Sequence, residues 1–126
     1  MLNYMSPEAR VETLAPVLRA LGQPKRLAIL DLLMEGVQCN CEISARLGLS
    51  LSLISHHVRV LEEAGLVRAE RDAQDSRWIY YSVDAERVEA LVGALAAFLD
   101  VRRIQPRQPS CGPGARCRDA EEPCRS

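Results

Sequence analysis

A chain of 126 residues, 48% apolar and 26% charged, is one domain's worth of folded protein, long enough for a modest core and short enough that a second subunit would complete it. Its net charge of −1 offers no global basic field to nucleic acid, although a local basic face fits inside a neutral total. No run approaches ~20 apolar residues, which argues against a membrane span. The opening "MLNYMSPEAR" lacks the charged-then-apolar layout of a signal peptide, so a cytoplasmic location is expected. Five cysteines, an odd number, are then expected to stay reduced, and metal or redox chemistry outranks structural bridging.

The elements follow in order. Residues 8–21 place Val11, Leu14, Val17, Leu18 and Leu21 on one helical face, with Pro16 expected to kink or split the helix. After Gly22, "PKRLAILDLLMEG" is apolar nearly all round, the mark of a helix buried in a small core. Two short helices are expected next, residues 40–47 and a longer one beginning after Ser50 and ending at Gly65. Helix, tight glycine-containing turn, helix is the helix-turn-helix pattern. Residues 66–71 and 77–83 alternate and are joined by a polar turn, which predicts a β-hairpin. Asp84 then caps a last amphipathic helix. From residue 102 to 126 the prolines recur and Ile104 is the one large aliphatic side chain, so the expected division is a folded domain over 1–101 and a flexible, cysteine-bearing tail over 102–126.

The second helix of the pair carries Ser52, Ser55, His56, His57 and Arg59 behind its Ser50 cap. Small hydroxyls and imidazoles near the start of such a helix suit base edges in a major groove, and Arg59 farther along suits a phosphate. The plainer alternative is that Ser55 and His56 solvate an exposed face.

The strings "LGQPKRLAIL", "LGLSLSLISHHVRVLEEAGLVRAERD" and "SRWIYYSV" resemble the ArsR/SmtB family of winged-helix metalloregulators over roughly residues 14–100. The resemblance implies a mainly α fold with a β-hairpin wing, and a homodimeric, DNA-binding repressor joined through its first and last helices. Arg68, Arg71 and Arg77 would then lie in the wing, facing phosphates. Two-fold symmetry calls for half-sites about 10 bp apart in an imperfect palindrome of double-stranded DNA. Neutral net charge fits if Glu8, Glu12, Asp31, Asp84, Glu86 and Glu89 lie away from the DNA face.

One inducer site of that family has the form Cys-x-Cys-Asp-Leu-x near the start of the helix before the recognition helix. Here "CNCEIS" supplies Cys39 and Cys41, replaces the Asp with Glu42, and has Ser44 where a third cysteine can occur. A second family site, built from Asp and His on the last helix, cannot exist here because no histidine follows His57. A thiolate set favours soft ions. As(III) and Sb(III) take three thiolates, whereas Cd(II) or Zn(II) takes four ligands. Cys39 and Cys41 leave at least one position to be filled by Cys111, Cys117 or Cys124, from the same or the partner subunit. A coil of about ten residues spans ~18 Å, enough for the tail to reach. The expected function is a repressor that releases its operator when As(III) or Sb(III) binds. The alternatives are a thiol redox-sensing repressor and a response to another thiophile such as Cd(II). No Cys-x-x-Cys, paired Cys–His or phosphate-binding glycine loop points to an enzyme.

Overall fold

The structure, a computed structural model, describes residues 6–113. Helix α1 (Pro7–Leu21) starts at Ser6, whose hydroxyl accepts from the Ala9 amide at 3.1 Å. It runs as one element through Pro16, so the expected split does not occur. The proline withholds one donor, from the Glu12 carbonyl, and Glu12 lies on an exposed turn open to solvent. Helix α2 (Pro24–Leu33) follows, with the Gln23 side chain accepting from the Lys25 amide. Its Ile29, Leu32 and Leu33 enter the core.

Next comes an element that sequence periodicity did not reveal. Strand β1 (Gln38–Cys39) is two residues long and pairs antiparallel with β3, Gln38 opposite Tyr81 and Cys39 opposite Tyr80. Helix α3 (Asn40–Leu47) begins directly from it and ends at Gly48, whose φ of 66° is the left-handed conformation in which a Cβ would be strained. The Ser44 hydroxyl donates to the Leu49 carbonyl at 2.7 Å and fixes the turn. Helix α4 (Leu51–Glu63) opens at Ser50, whose hydroxyl accepts from the Leu53 amide. Strands β2 (Val67–Arg71) and β3 (Ile79–Val83) form the hairpin, giving a three-stranded antiparallel sheet in the order β1-β3-β2. Arg77 and Trp78 belong to the connecting turn rather than to the second strand, as expected for residues bonded back to Asp75. Helix α5 (Ala85–Phe98) is capped by Asp84, and a 3-10 turn follows over Val101–Arg103.

The core lies where α2, α3 and α4 meet the sheet. Ile29, Ile43, Ile54 and Leu61 are fully buried, each contributing about 1.5–3 kcal/mol by leaving water. Helices α1 and α5 pack on each other beside this centre. The architecture is a winged helix-turn-helix: α3 and α4 form the pair, and the β2–β3 hairpin forms the wing. No helix among the described residues is long and apolar enough to cross a membrane.

Candidate nucleic-acid interface and thiol site

Helix α4 is divided by its own period. Ile54, His57, Val58 and Leu61, at spacings of three, one and three, are its buried residues. Ser52, Ser55, His56 and Arg59 repeat the same spacing two residues earlier, and all four are exposed. A single solvent-facing strip therefore carries two hydroxyls, an imidazole and a guanidinium, with exposed Ser50 at its start.

His57 is corrected by this division. It is 4% exposed and sits on the core face, its Nδ1 3.5 Å from Arg26 Nη1, and so does not present itself to a groove. Burial holds its pKa below the ordinary value of 6.5, with the charges of Arg26, His56 and Lys25 pushing the same way. Arg26 in turn donates through Nε to the Ala20 carbonyl at 2.6 Å, capping the end of α1. Arg26 and His57 thus join α1, α2 and α4, a role that the repeat of Ile54, Val58 and Leu61 already places at position 57.

Beyond α4 stands the wing. A cleft of about 320 Å³ separates the two, lined by Ser55, Arg59 and Glu62 on the helix and by Arg71, Ile79 and Tyr81 on the sheet. Not all the wing arginines are equivalent. Arg68 Nε lies 3.1 Å from Asp84, and Arg77 meets Asp75 through Nη2 at 2.7 Å. The Asp75 carboxyl is held below its usual range by the Arg77 guanidinium. Arg71 spends one nitrogen on the Ser76 carbonyl at 2.8 Å, and Arg59 has no ion pair among the described residues. The wing also holds Glu70, Asp72 and Asp75, and Asp84 sits at its base rather than clear of it. A predominantly basic hairpin is not what the chain builds: its arginines are matched by acids.

The two cysteines differ sharply. Cys39 is 7% exposed, extended at φ −82° and ψ 161°, and serves as both the end of β1 and the N-cap of α3. The Glu42 carboxylate accepts from the Cys39 amide at 3.0 Å, and the Cys39 sulfur stands where a capping oxygen would face the Glu42 amide. Burial pushes the Cys39 thiol above its ordinary value of 9.0, outweighing the Glu42 amide that pulls it down. The Cys39 amide holds the Glu42 carboxyl below its ordinary range. Cys41, on the first turn of α3, is exposed. Ser44, at the third position of the motif, is committed to the Leu49 carbonyl. Cys111 is exposed, while Cys117 and Cys124 lie outside the described residues. Among the described residues no three His, Cys, Asp or Glu side chains come together to hold a metal. Two thiols are soft donors in type, and they are fewer than the three or four ligands that a thiophilic ion takes. Asn40 between the cysteines was not singled out by the sequence motif. Its Oδ1 accepts from the Cys41 amide at 3.1 Å and its Nδ2 donates to the Arg77 carbonyl at 3.3 Å.

Residues 23–69 match the family model described as "Bacterial regulatory protein, arsR family". The chain is 33% identical over 91 residues to a cadmium resistance transcriptional regulatory protein, a CadC homologue of Staphylococcus aureus, covering 71% of each chain. The crystal structure of NolR from Sinorhizobium fredii superposes with a TM-score of 0.58 at 37% identity, covering 75% of this chain and 94% of that one. A crystal structure of a possible transcriptional regulator for arsenical resistance gives a TM-score of 0.57 at 34% identity, covering 64% and 81%. Motif, fold and relatives agree, and the chain belongs to the ArsR family of winged-helix transcriptional regulators.

Proposed function

We propose that this regulator is a homodimeric repressor that binds an imperfectly palindromic operator and releases it when As(III) or Sb(III) is taken up by cysteine thiolates. The observation that carries the reading is the adjacency of two features. The exposed strip Ser52–Ser55–His56–Arg59 faces outward from α4, and the Cys39–Cys41 pair stands at the start of α3, the helix joined to α4 through Gly48–Ser50. In this reading the strip enters the major groove, with Ser50, Ser52, Ser55 and His56 toward base edges. Arg59 and Arg71 hold a backbone phosphate at the helix–wing cleft, with Arg68 and Arg77 as secondary contacts.

Arsenite, As(OH)3, would exchange hydroxide for thiolate, each thiol proton leaving with a hydroxide as water. Cys39 and Cys41 supply two such ligands; Cys111, Cys117 or Cys124, from a tail beginning at residue 102, supplies the third. The folded domain is 1–101 in this reading. The names of two relatives, which concern cadmium and arsenical resistance, support a soft ion.

The test is a titration of the complex with an operator selected from random-sequence DNA. As(III) and Sb(III) at low micromolar concentration should release the DNA, and Cys39→Ser and Cys41→Ser should abolish that release. Release by peroxide alone would assign the thiols to redox sensing, and release by Cd(II) alone would assign them to a divalent thiophile.

A further inference from the structure

We infer that Asn40 is the positioning residue through which occupation of the Cys39–Cys41 site reaches the wing, so that the hairpin as well as the recognition helix is displaced. This rests on the ligand role proposed above for the two thiols.

Asn40 lies between them in sequence and is bonded in both directions. Its Oδ1 holds the Cys41 amide and its Nδ2 holds the Arg77 carbonyl. On the other side, Cys39 ends β1, in register with Tyr80 of β3. The thiol site is therefore joined to β3 at its start and to the turn before β3 one residue later.

That turn is tied together by its own hydrogen bonds. The Asp72 carboxylate accepts from the Gln74 and Asp75 amides at 3.0 Å each, and the Asp75 carboxylate takes both the Arg77 amide and its guanidinium. The Asp72 amide donates to the Trp78 carbonyl at 2.9 Å, closing the loop. A displacement of the Arg77 carbonyl is consequently a displacement of residues 72–78.

Ligation forces such a displacement. At about 2.3 Å per metal–sulfur bond, two thiolates on one ion lie within ~4.6 Å of each other. In the structure Cys39 is buried in the extended cap before α3, while Cys41 is exposed on the first turn of that helix. Bringing both sulfurs to one ion rotates the peptide between them. That peptide carries Asn40. Its side chain cannot keep both partners through that rotation, and the wing loses the bond that seats it on α3.

The experiment uses the full chain and two substitutions. Asn40→Asp keeps an oxygen for the Cys41 amide and lacks the donor to Arg77; Asn40→Ala lacks both. Asn40 is only partly buried, so neither opens a core cavity. Ion affinity is read from thiolate-to-Cd(II) charge-transfer absorbance with arsenite in competition, operator affinity is measured with and without arsenite, and Trp78, the one tryptophan of the chain, reports on the wing by its emission. Wild type should lose operator affinity by about tenfold or more on saturation. Both variants should bind arsenite within about threefold of wild type, release DNA by less than about threefold, and show no ion-dependent change at Trp78. Variants that bind the ion and release DNA as wild type does would overturn the role of Asn40 and leave the proposed function standing. Variants that no longer bind the ion would overturn it too, by making Asn40 part of the site rather than the link. A wild type that binds arsenite and keeps its operator would overturn both.

Discussion

Cys39 carries three duties, strand end, helix cap and proposed ligand, and its burial sets the chemistry of the third. A thiol held above 9.0 is protonated at neutral pH, so a metal cation must expel a proton to bind it. Uptake of As(OH)3 releases water and no net proton. Cd(II) affinity should therefore climb steeply between pH 6.5 and pH 8.5 while arsenite affinity stays nearly flat, a contrast that parallel absorbance titrations would show. His57 gives a second pH effect. Its folded pKa lies below 6.5, so below that value the unfolded chain binds the extra proton and stability falls as the solution is acidified. Denaturant titrations from pH 7 to pH 5 should show this loss, and His57→Leu should remove it. The Cys-x-Cys spacing was legible in the sequence. The inequality of the two thiols was not, because it depends on a strand pairing with residues some forty positions away.

Helix α4 was legible because its period is long and its caps are standard residues: Ser50 was expected as its cap, and the helix runs to within two residues of Gly65. The same period contains the placement of His57, which a motif reading that groups "SHH" overrides. Strand β1 escaped because two residues carry no periodicity, and its existence is decided by the edge that β3 offers. The wing was legible as a hairpin but not as a charge-balanced one, since the pairs Arg68–Asp84 and Arg77–Asp75 follow from folded geometry. These pairs separate the arginines. Arg59→Ala and Arg71→Ala should each weaken operator binding and flatten the logarithmic salt dependence by about 1, whereas Arg68→Ala and Arg77→Ala should change it by less than half as much. Fluorescence anisotropy across a salt series would decide.

For the molecule as a whole, the exposed apolar side chains are the informative ones. Val11 and Leu18 on α1, Val92 on α5 and Leu99 at its C-terminal cap are 41–69% exposed, although the two helices pack together. That surface is what a second copy would cover if the proposed dimer forms through the first and last helices. Val92→Glu, at a position 60% exposed, should leave thermal stability within about 0.5 kcal/mol of wild type. It should shift sedimentation toward the monomer and abolish binding to a two-half-site operator while a single half-site is still bound weakly. In contrast, Ile54→Ala in the core should cost about 2–5 kcal/mol in either oligomeric state.

The aspartates beside Arg68 and Arg77 act as counterions carried by the protein itself. When a phosphate takes over such a guanidinium, what is displaced is a tethered carboxylate rather than a salt ion free to disperse, so the entropy that ordinarily drives basic proteins onto any DNA is diminished. With a net charge of −1 there is little distant attraction to compensate. Occupancy of arbitrary DNA should thus be low, and a modest change at the exposed α4 strip or the wing would suffice to empty the proposed operator.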